Sequence, residues 1–179
     1  HAWHGPIGEA AARIAPATEA DPVAVLATAL ALFGAMLGDG AHVRVGGANH
    51  PPRIWPLIVG KTGSGRKGTS WHEARAVAHG WGTYAEDYLS TRVVAGLASG
   101  EGLIAALIGE DDDSSGIAYG RLTIVESEFA RVLTAAKREG STLGPVLRQL
   151  WDDGSASTLT KQAVRVDRAH PIVIAHVTP

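Results

Sequence analysis

One segment of the 179-residue chain predicts both its fold and its chemistry: Leu57-Ile58-Val59-Gly60-Lys61-Thr62-Gly63-Ser64-Gly65-Arg66-Lys67-Gly68-Thr69-Ser70. The segment starts with an apolar run that is typical of a strand, and a helix is expected from Lys67 or Thr69 to about His79. The glycines between them let the backbone turn sharply and present N–H groups to an anion, and the helix N-terminus adds a positive dipole. This order of elements predicts a loop that binds phosphate.

The segment departs from the usual phosphate-loop pattern G-x-x-x-x-G-K-[ST]. Counting from Gly60, Arg66 takes the lysine position and Lys67 takes the hydroxyl position. Either the loop is one residue longer, so that Lys67 binds phosphate and Thr69 or Ser70 supplies the hydroxyl, or Arg66 binds the phosphate. We favour Lys67, because a compact ammonium fits under a tight loop. A plain surface loop is the alternative, but such a loop need not lie between an apolar strand and a helix.

ATP and Mg²⁺ are the ligands expected for this loop. The predicted nucleotide-binding residues are Gly60, Lys61, Thr62, Gly63, Ser64, Gly65, Arg66, Lys67, Gly68, Thr69 and Ser70. Thr69 is the predicted Mg²⁺ hydroxyl.

A second apolar strand ends in carboxylates, in the segment Arg121-Leu122-Thr123-Ile124-Val125-Glu126-Ser127-Glu128-Phe129. Hydrolysis of a nucleotide needs a carboxylate near Mg²⁺ and another that orients the attacking water. We expect Glu126 on the metal side, partly through water, and Glu128 beside the attacking water. With Lys67 they are the predicted catalytic residues. The alternative is that both carboxylates only complement the N-terminus of the next helix, for which Ser127 is the expected N-cap.

Three further polar residues are weaker candidates. His176 and Thr178 end the apolar run that starts at Pro171, and a polar residue at the end of a neighbouring strand can sense the γ-phosphate. Glu101 is either a further catalytic carboxylate or part of a helix start, and the helix start is favoured.

Alternating strands and helices predict an α/β fold with a mostly parallel sheet and helices on both faces. Residues 1–40 are expected to form an N-terminal helical brace, and residues 41–179 the core, together as one compact unit. The expected elements are helices at Ile7–Ile14, Pro22–Leu37, Ser99–Ile108, Ser127–Arg138 and Thr142–Trp151, an edge strand at His42–Val45, a central strand at Arg53–Val59, a strand at Arg92–Ala95, buried strands at Arg121–Glu126 and Pro171–Val177, and a hairpin of Thr158–Thr160 with Val164–Val166.

Composition limits the function classes. The net charge is -2 and cysteine is absent, which argues against a globally basic nucleic-acid binder and against disulfides or thiolate metal sites. The apolar run Val23–Leu37 is too short to span a bilayer, so no membrane contact is expected, and a cytoplasmic location fits. Because the chain starts with His1 and stops after a core strand, we expect a piece of a longer protein that is truncated at the C-terminus.

Two residue classes offer contacts with a polynucleotide. The tryptophans can stack on bases but are expected mostly in the core. The C-terminal half carries scattered positive charge, which predicts either a polynucleotide or neighbouring-subunit surface or a solvated face. These basic residues are Lys137, Arg138, Arg148, Lys161, Arg165 and Arg168.

Several motifs in one order resemble an uncharacterised bacterial family of P-loop proteins from plasmids, phages and integrated elements, whose members often lie beside primase domains. The matching motifs are Trp3-His4-Gly5-Pro6-Ile7-Gly8, Thr18-Glu19-Ala20-Asp21-Pro22, Gly60-Lys61-Thr62, Arg66-Lys67-Gly68-Thr69-Ser70-Trp71, Ser99-Gly100-Glu101-Gly102-Leu103, Glu128-Phe129-Ala130, Arg138-Glu139-Gly140, Leu147-Arg148-Gln149-Leu150-Trp151-Asp152, Leu159-Thr160-Lys161 and His176-Val177-Thr178. They cover nearly the whole chain.

The resemblance implies a RecA-like P-loop NTPase core, helicase-like in type, that serves replication of a mobile element. It also implies single- or double-stranded DNA as a partner of the full-length protein, a homo-oligomer and a primase partner. The alternative is a regulatory or scaffold module that binds a nucleotide or an anion without hydrolysis. A small-molecule kinase would need a mobile lid with arginines, and no segment clearly supplies one.

Overall fold

The computed structural model describes residues 3–60, 67–108, 120–158 and 164–178, and at Lys67 and Val164 it describes the backbone alone. The helices in these ranges are α1 (Gly5–Ile14), α2 (Pro22–Leu37), α3 (Lys67–His79), α4 (Thr83–Thr91), α5 (Gly100–Ile108), α6 (Phe129–Ala136) and α7 (Leu143–Asp152). The strands are β1 (Val43–Val45), β2 (Ala48–His50), β3 (Leu57–Val59), β4 (Val93–Val94), β5 (Arg121–Glu126), β6 (Ala156–Thr158), β7 (Val164–Val166) and β8 (His170–Val177). A short 3₁₀ turn, Ala15–Ala17, follows α1.

Four of these strands form one parallel sheet in the order β3-β8-β5-β4. The last of these four strands in the chain, β8, therefore lies between β3 and β5. Its interior residues are buried along most of its length, as expected for a strand with neighbours on both sides. The predicted parallel sheet of an α/β fold is confirmed at this level.

Helices cover both faces of the sheet, and alternate residues of the central strands show which helix lies on which face. On one face, Ile172 and Ile174 of β8 pack with Tyr88 of α4, Leu32 of α2 and Ala78 of α3. On the other face, the apolar cluster joins the sheet to α5 and α7. Its central members are Leu103, Ile104, Leu107, Leu122, Ile124, Leu150, Val173 and Ala175. We call these the α3 face and the α5 face.

The helix α2 starts and ends where the sequence predicts. Asp21 is its N-cap, and the side-chain oxygen Oδ1 accepts hydrogen bonds from the N–H groups of Val23 (2.8 Å) and Ala24 (3.1 Å). The helix packs against β8 and α3, and Leu32 is fully buried there. The expected brace thus contributes directly to the core of the sheet.

The structure corrects two expectations about strands. The strand expected at Arg53–Val59 is central in the prediction, but β3 is short and lies at the edge of the sheet. Pro52 and Pro56 lack the N–H that a strand ladder needs, which explains the late start. The strand expected at His42–Val45 does not border the main sheet. It forms a two-stranded antiparallel hairpin with Ala48–His50, which lies inside the segment Gly46–Pro52, whose glycines and prolines are typical of a turn-rich connection.

Two helices also differ from the prediction. The segment from Gly80 to Ser90 has no clear pattern, yet most of it forms α4. The helix after β5 starts two residues later than predicted, with Glu128 and not Ser127 as its N-cap. The predicted hairpin is confirmed in type as the antiparallel pair β6–β7, but its first strand is Ala156–Thr158 and not Thr158–Thr160. The acidic, turn-rich segment Glu110–Gly120 is typical of a surface loop, and its residues 110–119 lie outside the described residues.

Among the described residues, no helix combines the length and the apolar character needed to cross a membrane. The longest helix, α2, has 16 residues.

Candidate functional site at the carboxyl edge of the sheet

The carboxyl ends of the four parallel strands lie along one edge of the sheet. In open α/β sheets, ligands bind outside this edge, at the point where the strand order reverses. The chain leaves β3 towards α3 on one face, and it leaves β5 towards α6 and α7, which flank the α5 face. The edge around β3, β8 and β5 is therefore the candidate site.

The strand β3 delivers the predicted phosphate segment to this edge. The N–H of Gly60 donates a hydrogen bond to the carbonyl oxygen of Val177 (3.0 Å), so the segment starts directly beside the end of β8. The helix α3 begins at Lys67, one of the two predicted starts. Residues 61–66, which include Lys61, Thr62, Gly63, Ser64, Gly65 and Arg66, lie outside the described residues, and so does the side chain of Lys67.

The first turn of α3 separates the two predicted hydroxyl candidates. Thr69 is partly exposed, whereas Ser70 is 1% exposed. Gly68 is exposed, and a Cβ placed on it would meet no described atom within 4 Å apart from its own helix and chain neighbours. Thr69 is therefore the more accessible of the two hydroxyls for a ligand that approaches from solvent.

Of the two candidate γ-phosphate sensors, His176 lies on β8, the strand next to β3, and Thr178 lies just after its end. His176 is opposite Ile58 in the register of β3 and β8, and Thr178 follows the end of β8. His176 is 2% exposed and shares the α3 face with Ile172 and Ile174. Thr178 is exposed.

The carboxylate of Glu126 is buried and bound to backbone. It is 7% exposed, and its Oε1 accepts hydrogen bonds from the N–H groups of Gly96 (2.7 Å) and Leu97 (2.5 Å). These residues belong to the loop between β4 and α5, residues 95–99. Glu126 alternates with Ile124 and Leu122, so its side chain lies on the α5 face.

The loop contact of Glu126 is the feature that sequence reasoning missed. The only local signal is Gly96 itself, which lies just after the predicted strand at Arg92–Ala95. Its φ of +90° suits glycine and lets consecutive N–H groups point towards one acceptor.

Glu128 differs from Glu126 in being exposed. It is the N-cap residue of α6, but its side chain makes no capping hydrogen bond. The alternative in which this carboxylate serves to complement the helix start is therefore not supported by a capping bond. Its position just past β5 is where a water-orienting carboxylate is expected.

Glu101 acts as part of a helix start. Its Oε2 accepts a hydrogen bond from the hydroxyl of Thr142 (2.8 Å), which ties α5 to the start of α7. Its own backbone N–H and this hydroxyl lower the pKa of the Glu101 carboxyl. In the same turn, the hydroxyl of Ser99 accepts from the N–H of Gly102 (3.1 Å).

Part of the predicted basic surface is occupied by ion pairs. Arg165 pairs with Asp167 (2.7 Å), which raises the pKa of Arg165, and Arg168 pairs with Asp39 (2.9 Å). Three other members are exposed: Lys137, Arg138 and Arg148. Lys161 lies outside the described residues. The pairs leave Lys137, Arg138 and Arg148 as the stronger candidates for contact with a polyanion.

Most tryptophans have structural positions. Trp55 donates through Nε1 to the carbonyl oxygen of Pro171 (2.8 Å) and meets Trp151 edge to face, with ring centroids 5.0 Å apart. Trp81 meets Phe33 in the same way at 5.8 Å. The expectation that tryptophans lie mostly in the core is met in part: Trp55, Trp71 and Trp81 are partly buried against the core clusters, whereas Trp3 and Trp151 are exposed.

No cluster of three or more metal-ligating His, Cys, Asp or Glu side chains occurs in the part of the chain that the structure describes.

No family model, curated protein or solved structure matches this chain. The resemblance that its motifs suggest remains a prediction, and the chemistry of the edge follows from its own residues.

Proposed function

We propose that this chain is the ATP-binding domain of a RecA-like, helicase-like ATPase, which serves replication of a mobile element in its full-length protein. One observation carries the proposal: β8 lies between β3 and β5 in a parallel sheet. This order supports the proposal because it brings three strand ends to one edge: that of β3 at Gly60, where the predicted phosphate segment starts, that of β8 with His176, and that of β5 with Glu126. Each was predicted separately from its own stretch of sequence.

The residues divide into binding and chemical roles. Gly60, Gly63, Gly65 and Lys67 would hold the phosphates through N–H groups and an ammonium, helped by the dipole of α3. Glu128 would orient the attacking water. The transition state of phosphoryl transfer is highly charged, so these groups act mainly by positioning and electrostatic stabilisation.

The described side chains fit a magnesium ion held mostly by the nucleotide. Mg²⁺ prefers oxygen ligands and keeps several waters, and it needs only one or two protein groups beside substrate phosphates. Thr69 offers a partly exposed hydroxyl in the first turn of α3. When bound, the ion would neutralise charge on the phosphates.

Binding of Mg²⁺–ATP, measured by calorimetry, tests the proposal first. The parent should bind, and Lys67→Ala should weaken binding about tenfold or more, because a charged contact to phosphate is lost. Lys137→Ala is the matched control. This exposed lysine follows the C-terminal end of α6 and is not among the predicted phosphate contacts, so its loss should leave ATP binding unchanged.

Two other outcomes are informative. Binding that survives Lys67→Ala and fails in Arg66→Ala would assign the phosphate contact to Arg66. A folded parent that does not bind would contradict the proposal.

Hydrolysis is tested separately with Glu128→Gln. This variant should retain ATP and lose turnover, because the amide orients water poorly and does not accept its proton. Equal turnover in Glu128→Gln and the parent would remove Glu128 from the chemistry. Turnover should be measured with and without single-stranded DNA, and in variants of Lys137, Arg138 and Arg148, since these are the proposed contacts to a polynucleotide.

The second candidate is a module that binds a nucleotide or an anion and regulates a replication complex, for instance beside a primase. One observation favours it: Glu126, one of the two predicted catalytic carboxylates, accepts hydrogen bonds from the backbone N–H groups of Gly96 and Leu97. ATP binding without turnover, in the presence of DNA, would support this candidate over the first.

A further inference from the structure

We infer that Glu126 is a positioning residue, which fixes the loop of residues 95–99 against the end of β5 and is not a ligand of the metal ion. The part of this inference that concerns turnover rests on the proposed function. The part that concerns the loop stands on its own.

The hydrogen bonds give the first reason. A buried carboxylate is costly unless it is well bound, and N–H groups that meet a charged acceptor form strong bonds. Oε1 of Glu126 accepts from two consecutive residues, Gly96 at 2.7 Å and Leu97 at 2.5 Å. These bonds join β5 to the loop that follows the neighbouring strand, β4.

The direction of the side chain gives a second reason. Glu126 lies on the α5 face with Leu122 and Ile124, whereas Val125 packs on the α3 face. The helix α3, at whose start the phosphates are expected, covers the α3 face. The Glu126 side chain therefore leaves the strand on the face opposite to that helix.

The loop of residues 95–99 lines a cavity and a groove and leads into α5, so its position affects all three. It borders an apolar cavity of about 210 Å³ that it forms with α5 and β5. The same loop residues Gly96 and Leu97 also line a groove of about 340 Å³, together with Arg131 of α6 and Arg138, which follows α6. The loop also leads directly into the first turn of α5. A change at Glu126 would thus alter the walls of both spaces and the start of α5.

This assignment leaves Glu128 as the carboxylate of the pair that can meet solvent. The two residues are close in sequence, but Glu126 is 7% exposed and Glu128 is exposed. The two carboxylates then have different roles: Glu126 binds the loop of residues 95–99, and Glu128 orients the attacking water.

Two substitutions at position 126 separate the effect of side-chain length from the effect of charge. Glu126→Gln keeps the length of the side chain and an acceptor oxygen but removes the charge. Glu126→Asp keeps the charge but is shorter by one methylene group. Exchange of the Gly96 and Leu97 amide hydrogens, followed by NMR, reports the loop contact directly and needs no nucleotide. Glu128→Gln is the control and should leave this exchange unchanged.

A positioning role predicts that Glu126→Gln protects both amides better than Glu126→Asp, in which exchange should rise about tenfold or more relative to the parent. Turnover should be close to that of the parent in Glu126→Gln and lower in Glu126→Asp. The Mg²⁺ concentration for half-maximal ATP binding should be close to that of the parent in Glu126→Gln and higher in Glu126→Asp. A metal-ligand role predicts the reverse: Glu126→Gln raises the required Mg²⁺ about tenfold or more while its amides stay protected.

The outcomes distinguish this inference from the proposed function. Unchanged amide exchange in Glu126→Asp would overturn the loop contact, whether or not ATP binds. A rise in required Mg²⁺ in Glu126→Gln alone would overturn the exclusion of a metal role. If the parent binds no ATP but the amides respond as expected, the proposed function fails and the positioning of the loop is upheld.

Discussion

At the scale of single residues, His170 is an enclosed imidazole at the start of β8. Its side chain is 1% exposed, and Nε2 lies 3.1 Å from the carbonyl oxygen of Gly34, to which it donates in the matching tautomer. Burial and the nearby Arg53 guanidinium lower the pKa of His170 to about 4. The ring is therefore neutral in the folded protein at neutral pH.

This burial makes stability depend on pH. Between about pH 6.5 and pH 4 the unfolded chain binds a proton at His170 and the folded chain does not. The contribution to stability is thus fully present above pH 6.5, and about 3 kcal/mol of it is lost as the pH falls to about 4. His170→Gln keeps a donor and cannot take up this proton. Urea unfolding at pH 7 and pH 4.5 should show a smaller loss in the variant, and equal losses would contradict the assignment.

Glu126 and Ser70 show at the same scale how burial separates similar residues. Thr69 and Ser70 are adjacent hydroxyls, and Glu126 and Glu128 are neighbouring carboxylates. In each pair one member is buried and the other is accessible to solvent. We therefore expect the accessible member of each pair to be the one that can contact a dissolved ligand.

At the scale of elements, α2 is a helix whose start is set by local sequence signals and whose composition also reflects its tertiary contacts. Its N-cap residue, Asp21, and the proline at its first position, Pro22, can be identified from the sequence alone. Gly34 in its interior is not explained by helix propensity, since glycine is unfavourable there. The explanation is close packing: a Cβ at Gly34 would overlap the carbonyl oxygen of Pro52.

Alanine at position 34 should therefore destabilise the protein, although it favours the helix. We expect Gly34→Ala to cost about 1–3 kcal/mol through overpacking, more than the roughly 1 kcal/mol gained from helix propensity. Gly144→Ala in α7 is the control, since the added Cβ would meet no described atom within 4 Å apart from its own helix and chain neighbours. It should be neutral or stabilise by up to about 1 kcal/mol. Thermal unfolding of both variants would decide, and a stabilised Gly34→Ala would contradict the packing.

At the scale of the whole molecule, the N-terminal helices and the sheet share one core. Leu32 and Ala35 of α2 belong to the same apolar cluster as Ile172 and Ile174 of β8. A brace added to a finished domain would not supply such residues. We therefore expect residues 1–40 and 41–179 to unfold together.

Leu32→Ala tests this cooperativity. Leu32 is fully buried, so truncation should cost about 2–5 kcal/mol, whereas Leu37→Ala, at 38% exposure, should cost less than about 1 kcal/mol. Helix content and tryptophan fluorescence should report the same shifted transition in Leu32→Ala. If helix content changes in an early separate step, while the fluorescence of Trp55 and Trp151 stays native, the N-terminal region is an independent unit.

The sequence by itself determined the type of most elements, because their signals are local. The Asp21–Pro22 start of α2, the bounds of β5 and the start of α3 depend on neighbours within a few residues, and all three are as predicted. The candidate site followed the same rule. Its members were found as strand ends and a glycine-rich segment, each in its own stretch of chain.

Only the tertiary structure decided which of these pieces meet. The edge position of β3, the place of β8 between β3 and β5, and the contact from Glu126 to Gly96 and Leu97 join residues that are far apart in sequence. No local pattern encodes such partners, since strand pairing and side-chain burial depend on the whole packed core. For the same reason the two carboxylates looked alike in the sequence, and burial alone separated the one that holds a loop from the one that faces water.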